Sequence, residues 1–206
     1  MKKLINILFR FANKIFRKIS GKIYNIIFLF SCWSYGIEVG KNVRTWKAVP
    51  ILRISKNVGK IVFHDNVTFN NYLNVAWSTK CMIEVEANAK LVIGKNSGMS
   101  GGMIYCANSI TIGEFVNIGG GTRIYDTNFH SLSWKDRRLP SSFDKLNTKT
   151  SPVFIDDDVF IGTNCIIGKG VHIGARSIIA AGSVVVKDIP SDEVWGGNPA
   201  QFIRKI

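Results

Sequence analysis

The chain has 206 residues, a hydrophobic share of 46%, 19 glycines and 20% charged residues, a composition that suits one packed, turn-rich domain with an appendage and argues against disorder. The formal charge is +13, but seven cations (Lys2, Lys3, Arg10, Lys14, Arg17, Lys18 and Lys22) fall in the first 24 positions and no acid precedes Glu38, leaving +6 for the remainder. Charge confined in this way fits an anionic surface met by one end of the chain, and no nucleic-acid partner is expected.

Residues 1–31 read as a basic amphipathic helix that ends in a short apolar run. At about 100° per residue, Ile5, Leu8, Ala12, Ile15, Ile19 and Ile23 share one face, with Lys3, Arg10, Lys14 and Arg17 opposite. The run from Ile23 to Phe30 is too short and too close to Lys22 to span a bilayer, which takes about 20 apolar residues. Charges interrupt the apolar region and no small-residue cleavage site is evident, so a secretory leader is not expected. Two roles stay open: closing one end of the domain, or lying in the membrane interface with its cations towards anionic lipid.

From residue 32 to the end the chain reads as one repeat domain. Val39-Gly40-Lys41-Asn42-Val43 and Phe63-His64-Asp65-Asn66-Val67 carry an aliphatic or aromatic residue, a turn and then a compact residue. Ile93-Gly94-Lys95-Asn96-Ser97 restores the pattern, while Pro50 to Lys60 and Val75 to Cys81 break it. Trp46, Tyr72 and Trp77 read as outer cover for the wall. After Ile112-Gly113, Ile118-Gly119 and Ile124-Tyr125 the rhythm stops at His130. Residues 131–152 contain no repeat unit, and a loop of this length inside a packed domain is usually functional.

In Val153–Lys187 an aliphatic residue returns every six positions: Ile155, Ile161, Ile167, Ile173, Ile179 and Val185. Gly162, Gly168, Gly174 and Ala180 follow four of them, and Val159, Cys165, Val171, Ser177 and Ser183 supply compact side chains between. A period of six fits neither an amphipathic helix nor a simple alternating strand. It fits a solenoid of short strands separated by tight corners, with three sixes to a triangular coil, so that Ile155 stacks on Ile173 and Ile161 on Ile179. A C-terminal tail, residues 188–206, follows.

Phe160-Ile161-Gly162-Thr163, the run Ala180 to Pro190 and the closing Gly197-Asn198-Pro199-Ala200-Gln201-Phe202-Ile203-Arg204 resemble, in order and spacing, the hexapeptide-repeat acyltransferases. The resemblance is to the branch that O-acetylates sugars and polysaccharides, beside the galactoside and maltose acetyltransferases. It implies an all-β fold, a left-handed parallel β-helix; the handedness comes from the resemblance alone, since parallel crossovers are otherwise right-handed. It also implies acetyl-CoA as co-substrate, a saccharide acceptor, a homotrimer with clefts between subunits and no metal. His130, within Tyr125-Asp126-Thr127-Asn128-Phe129-His130, occupies the place of the family's catalytic histidine. Asp126 is a candidate to orient the imidazole or the sugar. Ser100 is a candidate oxyanion donor, although the local Met99-Ser100-Gly101-Gly102 lacks the asparagine of galactoside-type relatives. Acetyl-CoA binding carries over to Thr163, Ala181, Val186, Lys187 and Arg204, while Gln201 stands where relatives often have arginine.

An imidazole, with a reference pKa of about 6.5, suits removal of a proton from a sugar hydroxyl as it attacks a thioester. His64 and His172 read as surface residues. They lie 66 and 42 residues from His130, with no close pair of the kind that would favour the zinc carbonic anhydrases built on the same helix type. Cys32, Cys81, Cys106 and Cys165 have no paired spacing and read as structural and reduced, which points to the cytoplasm. Other readings are acetylation of a xenobiotic hydroxyl and a non-catalytic, membrane-associated β-helix.

Overall fold

The computed structural model describes residues 19–73 and 78–206, with backbone only for 72–73 and 78–79. The helix expected over residues 1–31 therefore lies largely outside the described residues, as does Trp77. From residue 19 the chain is helical to residue 34 (α1), three residues beyond the expected end. No helix among the described residues is long and apolar enough to cross a membrane.

Beyond α1 the chain winds into a left-handed parallel β-helix with three walls of six, eight and six strands. Wall one contains Glu38–Val39, Lys60–Phe63, Lys90–Ile93, Ser109–Ile112, Val153–Ile155 and His172–Ile173. Each wall aims a column of large residues at the axis. On wall one Phe63, Ile93, Ile112, Ile155 and Ile173 stack in register. Wall two stacks Phe69, Met99, Ile118, Ile161, Ile179 and Trp195, and wall three Leu52, Ile83, Ile104, Ile124, Ile167 and Val185. The stacking of Ile155 on Ile173 and Ile161 on Ile179 is the one the spacing predicts. Full burial of each such side chain contributes about 1.5–3 kcal/mol, which is where the fold's stability resides.

The compact residues Val159, Cys165, Val171, Ser177 and Ser183 are all buried. The serines can be there because their hydroxyls bond to backbone carbonyls, Ser177 to Pro190 at 2.6 Å and Ser183 to Ala180 at 2.5 Å. At the corner between walls one and two the same position of each coil is left-handed: Asn42, Asn66, Asn96, Phe115, Asp158, Arg176 and Asp192. Asparagine and aspartate tolerate that conformation best, and Asn42, Asn66 and Asn96 bond to one another in a ladder.

The early coils are more regular than the sequence indicates. Ile51–Ile54 is a wall-three strand, with Leu52 opposite Ile83, so the register does not break over residues 50–54. Among the described residues the departure from the walls is the antiparallel pair Tyr72–Leu73 and Ser78–Thr79, a sheet of its own. Trp46 is half exposed, with the Arg44 guanidinium 5.7 Å from its ring, as a cover residue should be.

Both ends of the solenoid are closed by aromatic rings. At the first coils Phe28 of α1 is fully buried against Phe63 and Phe69, with ring centroids 6.5 and 5.5 Å away. Cys32 packs one turn on, and the side-chain Oδ1 of Asn25 accepts the Thr45 N–H at 2.6 Å. At the last coils Trp195 enters the core from Glu193–Gly197, which Ala200–Lys205 pairs in an antiparallel hairpin. Replacing Phe28 with alanine should therefore destabilise the whole domain by about 3–5 kcal/mol. Chemical denaturation should show this as one shifted transition, because α1 and the first coils share a core.

Candidate active site

The repeat is interrupted after Thr122–Tyr125, where residues 126–152 leave the corner between walls three and one. At such a corner the backbone N–H groups normally bond to the next coil. Here the next coil has departed, and the buried Asp126 carboxylate takes its place, accepting from Ala107 N–H at 2.7 Å and Asn108 N–H at 2.8 Å. Its carbonyl accepts the Ser151 N–H, and Thr127 bridges Thr150, so the neck of the loop is closed. Asp126 is thus a structural residue. The expectation that it orients the imidazole or the sugar is not met, because both of its oxygens are engaged on backbone.

Phe129, in the left-handed region at φ 63°, packs its ring on the outward-facing tyrosines of wall three, 4.7 Å from Tyr105 and 5.2 Å from Tyr125. That anchor presents His130 at the mouth of a groove of about 480 Å³. The loop carries two short helices, Trp134–Arg137 (α2) and Ser141–Leu146 (α3), and the groove runs between wall three and α3. His130 is largely exposed, and its Nδ1 lies 2.5 Å from Oδ2 of Asp144 on α3. Asp144 is nearly buried; its other oxygen accepts the Ser131 N–H at 2.7 Å. These two hydrogen bonds, the one from His130 first, hold its carboxyl below the usual carboxylate range.

An ionised carboxylate only accepts, so in the neutral imidazole the proton sits on Nδ1 and the lone pair on Nε2. The helix that carries Asp144 is itself tied down. Lys145 donates to Glu86 at 2.8 Å, and Glu86 accepts from the Tyr105 hydroxyl at 2.5 Å. The same two bonds, Lys145 first, keep the Glu86 carboxyl low. Burial and the Glu86 carboxylate push the Tyr105 phenol up, so it stays a donor. Arg137 reaches back to the Ser131 carbonyl at 2.6 Å, fixing the segment just after the histidine. The arrangement is an oriented base on a braced loop, with hydroxyls of Thr127, Ser141, Thr148 and Thr150 lining the space beside it.

The other expected residues lie elsewhere on the chain. Ser100 lines a separate groove of about 340 Å³ on wall two, among Thr68, Asn70, Asn117 and Phe160. Within one chain it therefore lies apart from His130. Thr163 and Ala181 meet at the corner between walls two and three, where the Gly182 N–H bonds to the Thr163 carbonyl at 2.8 Å. A Cβ on Gly162 would come within 2.5 Å of the Ala181 nitrogen, so that corner demands glycine. Val186 and Lys187 are exposed at the far end of wall three; the Lys187 ammonium lies 5.0 Å from the Trp195 ring centroid and 3.4 Å from Gln201 Oε1. Arg204 is exposed on the antiparallel strand. All five belong to the last coils and tail, and none lines the groove of His130.

His64 is exposed, and His172 pairs with Asp156 at 3.0 Å. Among the described residues no three histidine, cysteine or acidic side chains converge as a metal site. All four cysteines are buried and unpaired. Burial pushes the Cys32 and Cys81 thiols up to about 12 and raises those of Cys106 and Cys165 as well, so none is a ready nucleophile.

Residues 152–187 match the family described as "Bacterial transferase hexapeptide (six repeats)". A 2,3,4,5-tetrahydropyridine-2,6-dicarboxylate N-acetyltransferase of Clostridium perfringens is 50% identical over 56 residues, 27% of this chain and 24% of that protein. The hexapeptide-repeat-containing acetyltransferase VCA0836 of Vibrio cholerae, solved with acetyl coenzyme A, is 39% identical over 56% of this chain and 60% of its own, with a TM-score of 0.50. A maltose O-acetyltransferase of Clostridium difficile is 25% identical over 82% of this chain and 69% of its own, also with a TM-score of 0.50. The chain thus spans about a quarter of the length of the curated relative, and the likeness to it is confined to 56 residues.

Asp144→Asn should lower kcat roughly 100-fold with little change in KM, because the ring loses the acceptor that fixes its tautomer. Asp144→Glu should recover part of the loss. Since folding lowers the Asp144 pKa, the tie it forms is at full strength above about pH 4 and is lost as pH falls through the depressed folded value. Acid, not alkali, should release the loop, as limited proteolysis across 131–152 would detect.

Proposed function

We propose that this protein is an acetyl-CoA-dependent O-acetyltransferase acting on a saccharide. The observation that carries the reading is an exposed imidazole whose Nδ1 is held by Asp144 beside a groove lined by threonine and serine residues, on a β-helix with hexapeptide repeats. Nε2 of His130 accepts the proton of the acceptor hydroxyl while that oxygen attacks the thioester carbonyl. The tetrahedral intermediate collapses with loss of the coenzyme A thiolate, to which the imidazolium returns the proton. The imidazolium is favoured while it lasts by the Asp144 carboxylate. No acyl-enzyme is needed, and the buried, high-pKa thiols support direct transfer.

Acetyl-CoA lies along the last coils in this reading. Thr163, Ala181 and Val186 leave the backbone of the corners approachable, and Lys187 and Arg204 meet phosphates. The Vibrio relative, which shares 39% identity over the aligned part, was solved with acetyl coenzyme A, which supports this co-substrate. In one chain the donor surface and the base are apart, so a neighbouring subunit of a homotrimer completes the cleft. The acceptor is a cell-surface polysaccharide or its lipid-linked precursor, and the enzyme works in the cytoplasm at the inner face of the membrane. An amine acceptor is the second reading, favoured by the N-acetyltransferase among the relatives.

A thiol-release assay with acetyl-CoA and a panel of saccharides, amino sugars and xenobiotic alcohols tests this. Wild type should turn over a saccharide hydroxyl, and His130→Ala should lose at least about 100-fold in kcat. Equal turnover by the variant, or stoichiometric zinc in the active preparation, would remove the mechanism.

A further inference from the structure

Helix α1 has two apolar faces, and the solenoid uses only one. At about 100° per residue Phe28 and Cys32 point one way, and both are fully buried in the end of the core. Ile19, Ile23, Ile26, Ile27, Phe30 and Trp33 fall within about 120° on the opposite side. Every one of these six is exposed: Ile26 at 67%, Phe30 at 64% and Trp33 at 74% of their free surface. Phe30 and Trp33 lie together, with ring centroids 5.6 Å apart, at the C-terminal end of this stripe. A helix apolar on both sides is ordinarily covered on both sides, and a contiguous exposed patch of large side chains marks an interaction surface.

The charge around the patch decides between occupants. Seven lysines and arginines lie in the first 24 residues, Lys22 within α1 itself, and no acid occurs before Glu38. A second copy of the chain docked on this face would bring two such ends together, and like charges within a Debye length, about 8 Å in physiological salt, repel. An anionic lipid surface meets both properties at once: acyl chains take the isoleucines and phenylalanine, headgroups take the cations, and tryptophan favours the boundary.

We propose that the outer face of α1 is a membrane-interface anchor for anionic lipid. The helix then works in two directions: Phe28 and Cys32 seal the first coils, while Ile26, Phe30 and Trp33 enter the lipid boundary. The last coils, closed by Trp195, face away from the bilayer. This inference does not rest on the transferase reading, since it draws on neither His130 nor the groove.

The test is co-sedimentation of the full chain with vesicles of equal parts phosphatidylglycerol and phosphatidylcholine, against vesicles of phosphatidylcholine alone, at low and high salt. Wild type should bind the anionic vesicles, and binding should weaken with salt. The triple variant Ile26→Ser, Phe30→Ser, Trp33→Ser should partition at least about ten-fold less at an unchanged thermal transition, whereas His130→Ala should bind like wild type. The proposal is overturned if wild type fails to sediment with anionic vesicles at low salt, or if the folded triple variant sediments equally well. A fall in the variant's mass in solution without any vesicle binding by wild type would overturn it too, assigning the face to a second copy.

Discussion

Everything in this structure depends on parallel strands stacking in register, each inward side chain over its counterpart in the next coil. Because each coil touches only its neighbours, the condition is local and must be met afresh at every turn. It is met by aliphatic columns along the axis, and by corners where backbone lies so close to backbone that only glycine, alanine or a compact residue fits. Gly162, set against the Ala181 backbone, is the tightest corner described above. The two ends, where stacking must stop, are finished by aromatic side chains: Phe28 from outside the solenoid and Trp195 from its tail.

The same locality explains how a long loop can be added without disturbing the wall. A loop may leave at a corner if the hydrogen bonds lost there are replaced. Asp126 supplies the replacement for Ala107 and Asn108. Once the neck is closed, the loop needs only two further fixings: Phe129 on the tyrosines of wall three, and α3 on Glu86 through Lys145. Between them His130 and Asp144 are brought together from fourteen residues apart. A flexible loop is thereby given the rigidity that a base needs.

The columns and corners were legible because the repeat writes each structural need into the sequence every six residues, and Ile155 over Ile173 required no more than counting. The first coils were harder to read. There Leu52 and Ile83 keep the register while the turns between them vary in length, so spacing alone suggested a break that the pairing does not contain. The pairing of α3 with His130 had no periodic signature at all. Asp144 stands in Ser141-Ser142-Phe143-Asp144, a short helix start of ordinary composition, and nothing in the sequence says which aspartate will reach a histidine across a loop. Asp126 was the natural candidate by proximity in sequence and the wrong one in space, because its carboxylate was already needed by the backbone. Ser100 sits apart from the loop of its own chain, because position in a coil assigns a wall and its wall is not the one beneath the loop.

The account turns on which nitrogen of His130 is free. If Asp144 holds Nδ1, the lone pair of the neutral ring is left on Nε2, away from that carboxylate. Nitrogen-15 NMR of the histidine-labelled protein at pH 8 reads this directly. The account predicts that His130 shows a protonated Nδ1 and an unprotonated Nε2, with that preference lost in Asp144→Asn. A ring protonated at Nε2, or one that samples both tautomers equally in the wild-type protein, would contradict it.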